Sequence, residues 1–543
     1  MARRQRSRAA APTLRLALAL APLLGLAGAC SDRESQAAAP VDEPPPVGLA
    51  PADRPVLAAL PTRTLAPDHA ARAERLTARF RTRIAAAVEQ ARKLSKGKAT
   101  AGNVHVAVTV REVGAPAELV ELRADRAQPP ASNLKLVTTA AALVLCGRSA
   151  AWVTPVEGTG ALVGGRLDGD LVFRAAGDPV FDPTGLGRVE ERFRALGQRL
   201  AERGLAHVTG DLVLDEGDFL EPGPGPEWPD PSQHWTEYCA RSGGFTANGG
   251  VICARVRPAA VGAPARLEVH PEPHGLRSSY GVDTVAGTVN DVRVGATTTT
   301  ATVRGRVGHG LEEVLAEFSH PDPVQLFGAL ALDGLQRAGI RVDGTVRRQR
   351  GVPEGVRLGE LRGSLAECME AVNAESRNGV ADQVFLSLGH VAGGGGTREG
   401  GRRAVARALQ QLGVPEAGLN QVDGSGLSRA NRVSARAVTA LLEAVLGADD
   451  ATAALFRDSL AVAGRKGTLE KRMGGTAADG RVFAKTGWIR GVSCLSGLAT
   501  PPDRPALVFS ILIEYPEALG GLNTDCFKPL QDDLVLMLFE DPR

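Results

Sequence analysis

Ser132 and Lys135 stand three residues apart at the head of an apolar run, Pro130-Ala-Ser-Asn-Leu-Lys-Leu-Val-Thr138. If that run is a helix, positions i and i+3 share a face, and the ammonium can reach the hydroxyl. The helix macrodipole would also favour negative charge developing on the serine oxygen. A serine hydroxyl is a weak nucleophile until a base removes its proton. Lys135 can be that base only when neutral, a state that burial and a second nearby cation both favour. Taken alone, the pair is equally what a capping serine and a solvated lysine look like.

Two further groups complete a possible mechanism. Ser376-Arg377-Asn378 follows Val372-Asn-Ala-Glu375 at the start of a helical stretch, and Lys485-Thr-Gly487 ends a β-prone run that turns through Trp488. Ser376 could relay a proton to a leaving amine, and Asn378 could hold Lys135 and a substrate amide. The alternative for these two is a helix-capping pair. Lys485 and Thr486 offer a cation and a hydroxyl to a substrate carboxylate, while Gly487 lets substrate backbone approach the strand. The backbone N–H groups of Ser132 and Trp488 would form an oxyanion hole, of a kind worth roughly 3–4 kcal/mol of transition-state stabilisation.

The order SxxK, SxN, KTG resembles the signature set of penicillin-recognising serine enzymes. The chain is similar to the class C low-molecular-mass penicillin-binding proteins, the D-alanyl-D-alanine carboxypeptidase/endopeptidase family. The likeness rests on Pro130 to Leu143, Gly177-Asp-Pro179, Asp423-Gly-Ser-Gly-Leu-Ser428, Ser459-Leu-Ala-Val-Ala-Gly464 and Gly467-Thr-Leu469, and it runs from about residue 70 to the end. It implies a serine D,D-peptidase that hydrolyses D-Ala-D-Ala termini or D,D cross-links of peptidoglycan stem peptides, with β-lactams as inhibitors and no cofactor or metal. Three departures stand out. Arg377 replaces the usual Asp, Trp488 replaces a Thr or Ser, and Gly243 to Gly250 is a less regular version of the family stretch. Arg377 and Trp488 mark one alternative, a catalytically weakened peptidoglycan-binding homologue; a β-lactamase or esterase on the same fold, which shares the motifs but seldom so large an insert, is the other. Asp178 could reach substrate, but Gly-Asp-Pro reads first as a turn.

The elements that must position these residues can be read from periodicity. Asp68 to Leu94 is an amphipathic helix with Leu76, Phe80, Ile84 and Val88 at helical spacing. Val104 to Val110 is a strand, and the Ser132 helix runs towards Gly147. Between 155 and 354 short β-prone runs alternate with Gly and Pro turns, with helices expected over Arg188–Arg203 and Val324–Ala338. Helical pattern then returns, including Ala435–Leu446 capped by Ser434. Strands follow at Val482–Lys485, Val492–Leu495 and Leu507–Ile513, and a last helix from about Pro529 to Phe539. These elements make an α/β body with a long, mostly β insert, and the resemblance implies the fold α/β (α+β), a penicillin-binding, serine β-lactamase-like transpeptidase fold with an antiparallel sheet flanked by helices. The domains expected are a catalytic domain in two parts, 59–154 and 355–543, around an accessory insert at 155–354. Gly393 to Gly396 reads as a loop between helices, since no Gly-Lys-Ser/Thr follows it.

The start of the chain speaks to location. Arg3, Arg4, Arg6 and Arg8 precede an apolar run, Leu14 to Leu26, that ends in Leu26-Ala-Gly-Ala-Cys30. That is a signal peptide over 1–29, and the small residues before Cys30 resemble a bacterial lipobox. Cys30 would then carry a lipid and anchor the protein to a membrane, in the periplasm, through a Pro- and Ala-rich tether over 30–58. Ordinary cleavage after Ala29 is the alternative. The other six cysteines, an even number in an exported chain, could form disulfides, with Cys239 and Cys253 the first pair expected. Buried thiols are the alternative. With 63 Lys and Arg against 61 Asp and Glu, the charge balance implies no nucleic-acid partner.

Overall fold

A computed structural model describes residues 48–50, 53–55, 63–182, 184, 187–502 and 504–540. The signal segment, Cys30 and most of the tether lie outside the described residues. A six-stranded antiparallel sheet organises the part that carries the chemistry, in the order Ala461–Val462, Val482–Ile489, Val492–Ala499, Leu507–Glu514, His105–Glu112, Glu118–Leu122. Its strands from both ends of the chain meet where His105–Glu112 pairs with Leu507–Glu514.

Alternation along these strands decides what covers each face. Val106, Val108, Val110, Phe509, Ile511 and Ile513 point to one side and pack with Leu76 and Phe80 of the helix His69–Leu94. Leu530, Leu534 and Leu538 of the closing helix Lys528–Glu540 join the same core. Ala107, Val508 and Leu512 point to the other side, against the helices Leu134–Cys146 and Ala435–Leu446. The expected cap at Ser434 is present, its hydroxyl accepting from the Ala437 N–H at 3.1 Å. The helix Leu134–Cys146 is buried along its whole length, so the Ser132–Lys135 device is built into the core.

The chain leaves this body through Ala151–Gly158 and returns through Val356–Ser364, and these two strands pair antiparallel. They belong to a second six-stranded sheet with Gly48–Ala50, Leu171–Arg174, Leu212–Asp215 and Val346–Gln349. The helices Arg188–Glu202 and Pro323–Arg337 share a core with this sheet. Phe327 is its hub, with ring centroids 5.0 Å from Phe193 and 4.8 Å from Phe245. A three-stranded sheet, Arg266–His270, Val251–Arg257 and Val314–Ser319, extends it towards the site. Gly393 to Gly396 lies between the helices Asn378–Val391 and Arg398–Gln411.

The cysteines correct one expectation. Cys239 and Cys253 do not pair; both are buried thiols, as are Cys146, Cys368, Cys494 and Cys526. Cys239 closes a 3₁₀ turn, Glu237–Cys239, whereas Cys253 stands in the strand Val251–Arg257 opposite His270 and Glu317. Each packs separately as a small apolar side chain, and burial pushes the Cys239 thiol up to about 11.

Candidate active site

Ser132 lies in a 3₁₀ turn, Ala131–Asn133, that runs straight into the helix Leu134–Cys146. Ala131 and Asn133 are buried on either side of it, while Ser132 keeps partial exposure. The loop 423–428 presses on this turn so closely that a Cβ on Gly426 would stand 1.8 Å from the Ala131 carbonyl oxygen. Only glycine fits there, and its φ of 81° is one that other residues resist. The Asn133 side chain donates to Ser496 Oγ at 2.6 Å, which pins the turn to the strand Val492–Ala499.

Lys135 is fully buried. Its Nζ stands 3.0 Å from Ser132 Oγ, 2.6 Å from Asn378 Oδ1 and 2.7 Å from the Ser425 carbonyl oxygen. Asn378 Oδ1 and the Ser425 carbonyl are acceptors only. A neutral amine at this position could give its two N–H bonds to them and turn its lone pair towards Ser132. The Asn378 amide is oriented from its other end, where Nδ2 donates to the Tyr238 carbonyl at 2.8 Å. Sequence, not contact, separates these partners: Ser132 and Lys135 are local, whereas Asn378, Ser425 and Tyr238 arrive from distant segments.

Ser376 occupies the connection between the helices Leu365–Asn373 and Asn378–Val391, with a φ of 67°. A non-glycine residue in that region is strained, a cost of order 1–3 kcal/mol that the packed surroundings must hold. Together with Asn378 it lines a cleft shared with Phe181, Glu237, Tyr238 and Asn248. Asn378 bonds to Lys135 and Tyr238, which sets aside the capping alternative for its side chain. Arg377 turns the other way, bridging Glu317 at 2.7 Å and Glu375 at 3.3 Å. Burial opposes its charge, but the two carboxylates outweigh burial and raise its proton affinity.

Lys485, also fully buried, donates to the Thr486 carbonyl at 3.0 Å. The Thr486 hydroxyl lies 2.9 Å from that of Thr468. A Cβ on Gly487 would stand 2.8 Å from the Pro130 carbonyl oxygen and 3.1 Å from the Asn133 nitrogen, so the strand Val482–Ile489 sits directly against the Ser132 turn. Trp488, by contrast, is 46% exposed at the rim. Asp178 is buried and accepts from the Val180 N–H at 2.8 Å, the turn its sequence suggested.

Three participants escape a reading of the motifs. The Ser425 carbonyl and the Thr468 hydroxyl lie in the segments 423–428 and 467–469, which the family likeness marks without giving either a role. The Tyr238 carbonyl has no signal at all, because any residue supplies a carbonyl.

A profile of the D-Ala-D-Ala carboxypeptidase 3 (S13) family matches residues 89–524. The chain belongs to that family. The D-alanyl-D-alanine carboxypeptidase of Actinomadura sp. (strain R39) is 34% identical over 409 residues, which are 70% of this chain and 72% of that protein. The D-alanyl-D-alanine carboxypeptidase DacB of Haemophilus influenzae is 26% identical over 396 residues, 68% of this chain and 77% of that protein. The crystal structure of penicillin binding protein 4 from Haemophilus influenzae matches with a TM-score of 0.66 at 20% identity, covering 81% of this chain and 96% of that one. A structure of the same protein complexed with a β-lactam matches with a TM-score of 0.60 at 20% identity, over 83% and 99%. This S13 protein therefore has the penicillin-binding fold, and it is a serine-type D,D-peptidase of the D-Ala-D-Ala carboxypeptidase class.

Proposed function

We propose that Ser132 is the nucleophile and Lys135 its general base. Ser132 Oγ attacks the carbonyl of the penultimate D-alanine of a stem peptide while Lys135 takes the hydroxyl proton. The tetrahedral oxyanion is held by the N–H groups of Ser132 and Trp488. As the C–N bond breaks, Ser376 gives its hydroxyl proton to the departing amine and regains one from the Lys135 ammonium, and an acyl ester remains on Ser132. Water then resolves the ester and restores the hydroxyl. Asn378 keeps Lys135 aimed, Lys485 and Thr486 hold the substrate carboxylate, and Gly487 gives it room. The observation that carries this reading is the trio of contacts on Lys135, in which two acceptor oxygens leave its lone pair for Ser132.

The same acylation by a β-lactam ring gives a stable ester, so a fluorescent penicillin tests the assignment. The wild type is expected to label covalently and Ser132→Ala to lose the label. An unlabelled wild type would instead favour a homologue that binds peptidoglycan without turning it over. Release of D-alanine from a pentapeptide, set beside cleavage of cross-linked dimers, divides carboxypeptidase from endopeptidase action. The Arg-rich start, the apolar run and the small residues before Cys30 support export to the periplasm and a lipid anchor on Cys30. Cys30→Ser is expected to move the protein from the membrane to the soluble fraction; unchanged membrane association would refute the anchor.

A further inference from the structure

Behind Lys135 lies a buried acid that the reaction above does not use. Asp382 follows Asn378 by one turn of the helix Asn378–Val391, so the two share a face. Its Oδ1 accepts the N–H groups of Gly424 and Ser425, each at 2.8 Å. The Ser425 carbonyl in turn accepts from Lys135 Nζ. One helix face thus sets two contacts on the lysine, directly through Asn378 and, from Asp382, through the backbone of Ser425.

The other carboxylate oxygen of Asp382 is buried without a hydrogen-bond partner. It belongs to a residue lining a small cavity with Trp228, Ser242, Arg398 and Asp423, and Trp228 Nε1 is likewise buried and unpartnered. Asp423 differs: Gly426 N–H, Ser428 N–H and Asn431 Nδ2 all donate to it at 2.8 Å. Burial, and then the charge of Asp423, raise the Asp382 carboxyl above the usual carboxylate range, while Lys135 and Arg398 oppose the rise.

We propose that Asp382 is a positioning residue of the reaction: it fixes the Ser425 carbonyl that aims Lys135, and its negative charge stabilises the ammonium that Lys135 becomes on taking the Ser132 proton. The inference rests on Ser132 and Lys135 acting as nucleophile and base. A carboxylate behind the amine favours the ammonium, so removing that charge lets the neutral amine persist to lower pH. Asp382→Asn keeps an acceptor for the two amides and removes the charge, with an NH2 group in place of the unpartnered oxygen.

The experiment is the rate of acylation by a fluorescent penicillin between pH 5 and pH 10. In Asp382→Asn the acid limb is expected about half to one pH unit lower than in the wild type, with a maximal rate reduced roughly tenfold. Asp382→Ala, a second uncharged variant, is expected to move the limb the same way, and Asp382→Glu to leave it in place. A brace without an electrostatic role would lower the rate equally at every pH. A labelled wild type with the limb unmoved in both uncharged variants overturns this inference alone. An unlabelled wild type overturns the serine–lysine assignment, and this inference falls with it.

Discussion

Thr468 brings a hydroxyl to the Lys485-Thr-Gly487 motif from a separate turn. Members of the resembling family carry a hydroxyl after Lys-Thr-Gly, and here that position is the exposed Trp488. The Thr468 hydroxyl, 2.9 Å from that of Thr486, puts a second hydroxyl beside the proposed carboxylate grip from a different turn. Thr468→Val keeps the shape and removes that bond, a loss of about 1 kcal/mol. The expected result is a KM roughly fivefold higher for peptides with a free terminal carboxylate, with kcat nearly unchanged, read from D-alanine release. Arg377 gives the complementary lesson. Its departure from the family pattern raised doubt about activity, yet its guanidinium is engaged with Glu317 and Glu375 and not with Lys135.

At the scale of elements, the site is a meeting of one turn, one strand and one loop. The strand Val482–Ile489 reaches the Ser132 turn only because Gly487 has no side chain. In Gly487→Ala the new methyl would meet the Pro130 carbonyl and Asn133 at 2.8 to 3.1 Å, so strand and turn must separate by a few tenths of an ångström. Misplacement of reacting groups is costly even when the fold survives. Acylation by penicillin is expected to fall roughly 10²-fold, with the melting temperature within a few degrees of wild type. The periodic elements were legible in the sequence: the helix His69–Leu94, the Ser434-capped helix and the closing helix all stand within a residue or two of their expected bounds. Their apolar residues recur at 3.6 or 2 positions because each element buries one face. The strained backbone of Ser376 was not legible, since its φ is imposed by packing and not by local preference.

At the scale of the whole molecule, the residues between 155 and 354 do more than lengthen the chain. They supply Tyr238, whose carbonyl orients Asn378, and Glu317, which pairs with Arg377 across the site loop. The Arg377–Glu317 pair is largely shielded, with side-chain exposures of 13% and 19%. Breaking it falls between the cost of a surface pair and that of a fully buried one, so Arg377→Ala is expected to cost roughly 2 kcal/mol. A lower melting temperature should accompany a smaller loss in Arg377→Ala/Glu317→Gln, because the double variant leaves no orphaned carboxylate at 317. Equal losses in the single and double variants would show that the pair does not couple the two regions.

The sequence by itself determined the chemical repertoire. Ser132 with Lys135, then Ser376 with Asn378, then Lys485 to Gly487 are residue types at short spacings, and short spacings survive as local geometry in a helix or strand. It also determined the elements of the α/β body, through periodicity that each buried face demands. Only the tertiary structure decided which oxygens restrain Lys135, that Cys239 and Cys253 stay apart, and that Asp382 stands behind Lys135. Those relations join residues separated by about ten to several hundred positions, and no local preference encodes them. They follow from which faces pack together, and a buried carbonyl or carboxylate has its meaning only once its neighbours are fixed.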